Sequence, residues 1–343
     1  MKVVFGGDFY PGYRWESIII KNPNSIWSNE VKDFINNSDL RIVNLETPLT
    51  SSKNPIKKLG PNLKCSPKTI YSLKSGGINL VTLANNHVFD YGKEGFKSTI
   101  NVLNENKINY IGVGSDITNA SNSYYVKDNV VFLNYGNNEW GTATEKDEGY
   151  NGYSIIDIHT KIKEFKNKGY FICLILHAGH ELYSLPSPQM VKEFRYFVDI
   201  GANLIVTHHS HYYSGYEKYN DGFIFYGLGN MLFDSKSNDE KWFNSFLLKL
   251  NIINNKIEDI KLLPIKNKIS DGCISVLNTA EIEVFNEKLK SYNYIICDDK
   301  LLNESWISHV SIMKSSYLVG LKNYIKYYIS LVNRIPYFNK VLF

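Results

Sequence analysis

The sequence predicts an α/β fold, and three observations carry that expectation. Short β-branched and aliphatic runs recur through the first 250 residues, helical patterns lie between several of them, and the unusual polar residues gather where the runs end. Several runs are apolar on both faces, as strands buried between layers must be. Strands alternating with helices in this way point to stacked α and β layers.

The elements follow in chain order. Strands are expected at 2–7 (KVVFGG), 39–45 (DLRIVNL), 78–84 (INLVTLA), 110–114 (YIGVG), 130–135 (VVFLNY), 170–176 (YFICLIL), 202–207 (ANLIVT) and 223–230 (FIFYGLGN). Helices are expected over Trp27 to Asn36, Pro67 to Ser75, Lys93 to Glu105, Ile158 to Lys168 and Pro188 to Ile200. Residues 244–252 and 256–265 alternate apolar and polar side chains around Asn254-Asn255, which reads as a hairpin closing the fold. From about residue 278 the pattern turns helical. The expected division is therefore a domain over 1–265 and a helical C-terminal extension over 266–343.

Composition bounds what such a chain can be. Its 343 residues are 43% hydrophobic and 21% charged, the profile of a globular protein with a sizeable core. A net charge of +4 is too small to argue for nucleic acid, and none is expected as a partner. The longest apolar runs fall far short of the roughly 18–20 residues of a spanning helix. The first ten residues, MKVVFGGDFY, reach Asp8 before a secretory apolar stretch could form. Cys65, Cys173, Cys273 and Cys297 are scattered and form neither a disulfide framework nor a thiolate zinc site. A cytoplasmic location, peripheral to the membrane at most, is the expectation.

Three clusters carry chemistry. Asp8 follows the first strand and Glu46 the second, so two carboxylates at neighbouring strand ends could offer hard oxygen ligands to divalent metals. An acid at a strand end also serves commonly as a turn residue. Asn85-Asn86-His87 follows the third run, with Asp90 three residues on, placed to orient His87. A turn is the alternative reading there. The densest cluster joins His177 and His180 in HAGHE to His208, His209 and His211 in THHSH. With His87, that is six of the eight histidines at strand ends, where ligands bind in α/β sheets. In extended chain a His-x-His pair points to one side and can serve adjacent metal ions. With no cysteine joining, a mixed nitrogen and oxygen site suits Mn, Fe or Zn. Glu181, Glu217 and Asn230 lie in the same blocks and are candidates for contact with substrate or for orienting ligands. Gly112-Val113-Gly114 is a partial glycine motif that reads as a turn. His159 and His309 read as structural.

Taken in order, GGDFYPG, NLETPLT, LANNHVFDYG, LHAGHE and THHSHYYSGYEKYNDGFIFYGLGNMLFD resemble the poly-γ-glutamate capsule-synthesis (CapA) family, a branch of the calcineurin-like metallophosphatases. The resemblance covers roughly residues 1–240. It implies a four-layer α/β/β/α sandwich with two divalent metal ions at one end. Asp8 would bind one metal, Glu46 would bridge both, and His211 would complete the first. Asn86, His177 and His209 would hold the second. His87, oriented by Asp90, would act as acid or transition-state stabiliser, and His208 would stand behind the ligands. The sequence departs from the wider superfamily in two ligands. Tyr10 stands where the first motif usually has His, and Glu46 stands where Asp is usual, both as in the capsule branch. The glycine that often opens the last motif is Thr207.

The implied function is metal-dependent hydrolysis, phosphoesterase-like, in the synthesis of a capsule or surface polymer, whether poly-γ-glutamate or polysaccharide. The expected substrate is an anionic polymer or phosphoester. The alternatives are a non-hydrolytic polymer-binding component, or a membrane-associated scaffold working through its tail. Residues 305–343 hold Lys314, Lys322, Lys326, Arg334 and Lys340 and no acid, so against a total of +4 the first 304 residues carry −1. On a helix the basic residues from Lys314 to Arg334 form one drifting ridge, suited to an anionic membrane surface or to capsule-synthesis membrane proteins. A C-terminal helix docked on its own domain is the competing reading.

Overall fold

The computed structural model describes residues 1–236 and 239–314. The basic ridge from Lys322 onward lies outside the described residues. In chain order the strands are β1 (Lys2–Tyr10), β2 (Leu40–Leu45), β3 (Leu80–Thr82), β4 (Asn109–Ile111), β5 (Val113–Gly114), β6 (Tyr125–Lys127), β7 (Val130–Gly136), β8 (Gly149–Tyr150), β9 (Phe171–His177), β10 (Leu204–His208), β11 (Tyr216–Tyr219), β12 (Gly222–Phe225), β13 (Asn230–Phe233), β14 (Asn244–Ile253), β15 (Lys256–Lys266) and β16 (Ser275–Val276). They form an eight-stranded sheet ordered β16-β15-β14-β1-β2-β3-β4 with β13 also paired to β1, a six-stranded sheet ordered β11-β12-β10-β9-β7-β6, and the pair β5-β8.

Alternation along the strands builds the layers. Val3, Phe5, Leu40, Ile42 and Leu80 of the first sheet face Phe132, Cys173, Ile175, Leu204 and Val206 of the second in one shared core. The intervening residues turn outward: Val4, Val43 and Val81 pack under Trp15, Ile19, Val31, Ile35, Leu73 and Leu103 from helices on the first sheet. On the far side Ile172, Leu174 and Ile205 pack under Ile158, Ile162, Phe194 and Phe197 from the helices Ile155–Asn167 and Pro188–Ile200. Helix, sheet, sheet, helix is the four-layer α/β/β/α sandwich that the family resemblance implies.

Past residue 266 the chain first adds β16 to the edge of the larger sheet and then turns helical. Asn278 caps the helix Thr279–Cys297, its side chain accepting from the Glu281 N–H while the Glu281 carboxylate accepts from the Asn278 N–H. Phe285 and Leu289 enter the core between the sheets. Helical residues resume over 299–314. Among the described residues no helix is long and apolar enough to cross a membrane.

Two expected strands are broken in two. The run 110–114 divides at Gly112, whose φ of +87° ends β4 and sends β5 to a different sheet. The run 223–230 divides between β12 in one sheet and β13 in the other. Gly229, at φ +79°, makes the crossing, and the Asp8 N–H donates to its carbonyl. A Cβ on Gly7 would fall 1.7 Å from that same oxygen, so the approach requires glycine. The hairpin 244–266 forms as expected, with Asn254 and Asn255 both at positive φ, the conformation a two-residue turn needs.

Candidate metal centre

Each sheet delivers part of the centre at its strand ends. Asp8 sits at an irregularity of β1, where the register with β13 shifts between Asp8 and Phe9. Glu46 follows β2, its N–H donating to the Phe9 carbonyl. Asn86 and His87 lie in the turn after β3. From the second sheet, His177 ends β9, His208 ends β10, and His209 to His211 make the turn beyond. His209 and His211 hold φ of +83° and +59°, a conformation that costs free energy in a non-glycine residue and recurs at functional sites.

The result is two overlapping groups of buried side chains. Glu46, His177 and His209 form one, and Asp8, Glu46 and His211 the other. Within each group, ligand atoms lie within 4.8 Å of one another. Glu46 belongs to both. The Asn86 Oδ1 lies 3.0 Å from His177 Nε2, and His209 Nδ1 lies 3.1 Å from the same nitrogen. Asp8, Glu46, Asn86, His177, His209 and His211 are therefore brought together. His208 lies beside them, its Nδ1 3.4 Å from Asp8.

The surrounding polar groups fix these side chains. Asn44 Nδ2 donates to Asp8 Oδ1 at 2.8 Å and faces His177 Nδ1 at 3.1 Å. Its Oδ1 accepts from Thr82 and from Asn85. Asn85 accepts in turn from the N–H groups of His87 and Val88, stapling the turn. Asn230 Oδ1 lies 3.0 Å from His211 Nδ1. His87 Nδ1 lies 2.6 Å from Asp90, which is fully buried and ion-paired with Lys58.

Glu217 and Glu181 stand apart from this group. Arg195 holds the buried Glu217 carboxylate with two hydrogen bonds of 3.0 and 2.8 Å, and Tyr226 donates to it at 2.6 Å. Glu181 is exposed on the loop after β9 and lines the cavities beside the centre. Tyr10 packs with Leu63 and Phe233 in an apolar cluster.

Burial sets the protonation of the centre. It pushes the Glu46 carboxyl well above its ordinary range, helped by the charges of Asp8, Glu181 and Asp90. Burial acts the same way on Asp8, but a hydrogen bond with His211 and the neighbouring imidazoles outweigh it and hold Asp8 well below. Desolvation lowers His177 and His208, and takes His209 down to about 4. Neutral imidazoles keep a lone pair free, the form in which histidine binds metal.

The donor set passes a sharper test. Both carboxylate oxygens of Glu46 are buried, with no hydrogen-bond partner among the described residues. Buried polar groups are almost always satisfied, and an unpaired carboxylate is among the costliest exceptions. A cation on each side of Glu46 would satisfy it. Carboxylate, amide and imidazole ligands without thiolate suit borderline divalent ions such as Mn, Fe or Zn.

Three contributors were given no role of their own by the sequence. Asn44 and Asn85 interrupt or follow apolar runs, and an amide at a buried strand end is itself a signal. Lys58 offers none, standing beside Lys57 in a polar loop. Its side chain nevertheless reaches Asp90 with 2% exposure, and its Nζ lies 3.2 Å from His87 Nδ1.

Fold and site together define a four-layer α/β/β/α protein whose strand ends converge on buried acidic and histidine side chains that could bind metal ions. The chain belongs to the family described as bacterial capsule synthesis protein PGA_cap, whose model matches residues 2–235. It is 30% identical over 240 residues to the capsule biosynthesis protein CapA of Bacillus anthracis, a match covering 66% of this chain and 58% of that one. It is 28% identical over 244 residues to the PGA biosynthesis protein CapA of Bacillus subtilis (strain 168), covering 67% and 62%. The chain thus spans about three fifths of the curated relatives it matches. Among solved structures it resembles a hypothetical protein from Thermus thermophilus, with a TM-score of 0.48, 11% identity, and coverage of 78% of this chain and all of that one.

Proposed function

We propose that this protein is a binuclear metal-dependent hydrolase, phosphoesterase-like in its chemistry, acting in the synthesis of a capsule or surface polymer. The observation that carries the reading is the unpartnered, buried Glu46 carboxylate shared by two ligand groups. In this reading Asp8, Glu46 and His211 would hold one ion, and Glu46, Asn86, His177 and His209 would hold the other. A pair of divalent ions so bound supplies Lewis acidity and activates water near neutral pH.

The chain's own residues do the rest. Asp90 holds His87 through Nδ1, which leaves Nε2 to meet substrate in the adjoining cavity that His87 lines. His87 there can pass a proton to a departing oxygen. Lys58, paired with Asp90, fixes that orientation. Asn44 and Asn230 hold Asp8, His177 and His211 in register. The role in capsule synthesis is supported by the family and by the names its Bacillus relatives carry.

Metal analysis and turnover of a simple phosphodiester test the reading together. The expected result is two divalent ions per chain and hydrolysis that Asp8→Asn and His209→Ala abolish. Protein that binds metal yet cleaves neither phosphodiester nor amide bonds would leave a polymer-binding assembly component instead.

A further inference from the structure

The family match stops at residue 235, yet residues beyond it build one wall of a cavity at the metal centre. This cavity encloses about 940 Å³ and extends from His209, Glu139 and Asn137 to Trp306 and Val310 on the helical segment 299–314. A different cavity, of about 740 Å³, meets the centre at His87 and His211. Glu181 lines both. Either has the size of a small-molecule site. A bond held at the metals therefore has room for a substantial group in two directions. A small phosphate monoester needs only one.

Ring contacts hold the wall in place. Trp306 lies 4.5 Å from His180, and His309 stacks on Tyr183 at 3.9 Å with the rings 18° apart. These contacts dock the helical segment on the loop after β9. They also leave Trp306 half-buried, with part of its surface lining the cavity.

The lining favours one class of ligand. An indole offers a broad apolar face together with a positive edge, and suits a ligand that is apolar on its flat face and polar around its rim. Glu139, Glu181 and Asn137 present carboxyl and amide oxygens that accept hydrogen bonds. Lys314 also lines the cavity, and with Glu139 and Glu181 counted against it the lining keeps a net negative charge, which disfavours a unit bearing its own carboxylate or phosphate. A pyranose unit stacks its C–H face on the indole and donates its hydroxyls to those oxygens. We propose that the cavity walled by Trp306 is a saccharide subsite, which holds a neutral sugar unit next to the linkage bound at the metal centre. The inference rests on the reading of that centre as the place where a polymer is processed.

An array of neutral and uronate-containing bacterial oligosaccharides, with γ-linked oligoglutamate printed beside them, tests the subsite by binding alone. The full chain is applied loaded with manganese, and again after chelation. Retention on neutral oligosaccharides is expected, and Trp306→Ala should reduce it tenfold or more. Val310→Trp, at a position 42% exposed, fills the cavity without touching a core and should cause the same loss. Retention only on oligoglutamate or uronates, no retention at all, or variants that bind like the parent would overturn the subsite. Turnover is not read in this experiment. Sugar binding without phosphodiester cleavage would keep the subsite and remove the hydrolase, and the reverse result would do the opposite.

Discussion

Lys58 and Asp90 are a buried ion pair, with side chains 2% and 0% exposed. Removing one member of such a pair strands the other, at a cost of about 3–5 kcal/mol. Lys58→Met should therefore lower the unfolding free energy in urea by that amount, and Lys58→Met/Asp90→Asn should recover a large part. A single variant as stable as the parent would mean that Asp90 finds another cation. Glu46 makes the complementary case. Its pKa is raised in the fold, so its contribution to stability is complete below the ordinary carboxylate pKa and is lost as pH rises toward the folded value. Asp8 and His209, with lowered values, act in the opposite sense. Comparing the metal-free parent with Glu46→Gln isolates the glutamate. The variant should gain stability relative to the parent from pH 4 to 7, by about 1–3 kcal/mol at the upper end. Parallel pH curves would show that the charge is neutralised another way. At this scale the centre was legible because carboxylates, an amide and six of the eight histidines gather at the ends of apolar strands. Lys58 was not, because a lysine that bends inward to a buried acid looks in sequence like any solvated one.

Element by element, the layers were legible wherever hydrophobic periodicity was unbroken. The helix Pro188–Ile200 begins and ends where expected, and the strand 170–176 is displaced by one residue. Periodicity misled at 223–230, where apolar side chains continue while Gly229, at positive φ, lets the chain leave one sheet for the other. An apolar run records burial, but it does not record which neighbour buries it. The extension depends on a more local device. Asn278 and Glu281 satisfy the first N–H groups of the helix Thr279–Cys297 in reciprocal fashion, and Lys266 bonds the same glutamate. Loss of an N-cap of this kind costs about 1 kcal/mol. Asn278→Ala should lower the urea midpoint accordingly at neutral pH. The Glu281 pKa is lowered chiefly by the Asn278 N–H, so its contribution is present above the ordinary carboxylate pKa and fades as pH falls. The variant keeps the residue-278 N–H, so parent and Asn278→Ala lose the glutamate half of the box together in acid, and the difference between them should persist.

The whole molecule places Asp8, Glu46 and Asn86 on one sheet and His177, His209 and His211 on the other. No stretch of sequence contains this fact. It arises when two sheets pack face to face and their strand ends come into line. A cation held by Glu46 and His177 would thus be a cross-link between layers, available only when both have folded and packed. Ligands that bind only the native state stabilise it by mass action, about 2.7 kcal/mol at a concentration one hundred times Kd. With about 2 cal/mol/K of unfolding entropy per residue, that raises the melting temperature of a chain this long by roughly 4 °C. Manganese at saturating concentration should produce such a shift in the parent. Asp8→Asn and His177→Ala, which disable opposite sheets, should each reduce it sharply. Glu217→Gln alters a buried carboxylate bonded to Arg195 and Tyr226, so it should melt lower than the parent yet keep the full shift. If Asp8→Asn alone removed the shift and His177→Ala left it whole, the ion would be held by the first sheet, and the cross-link between layers would not exist.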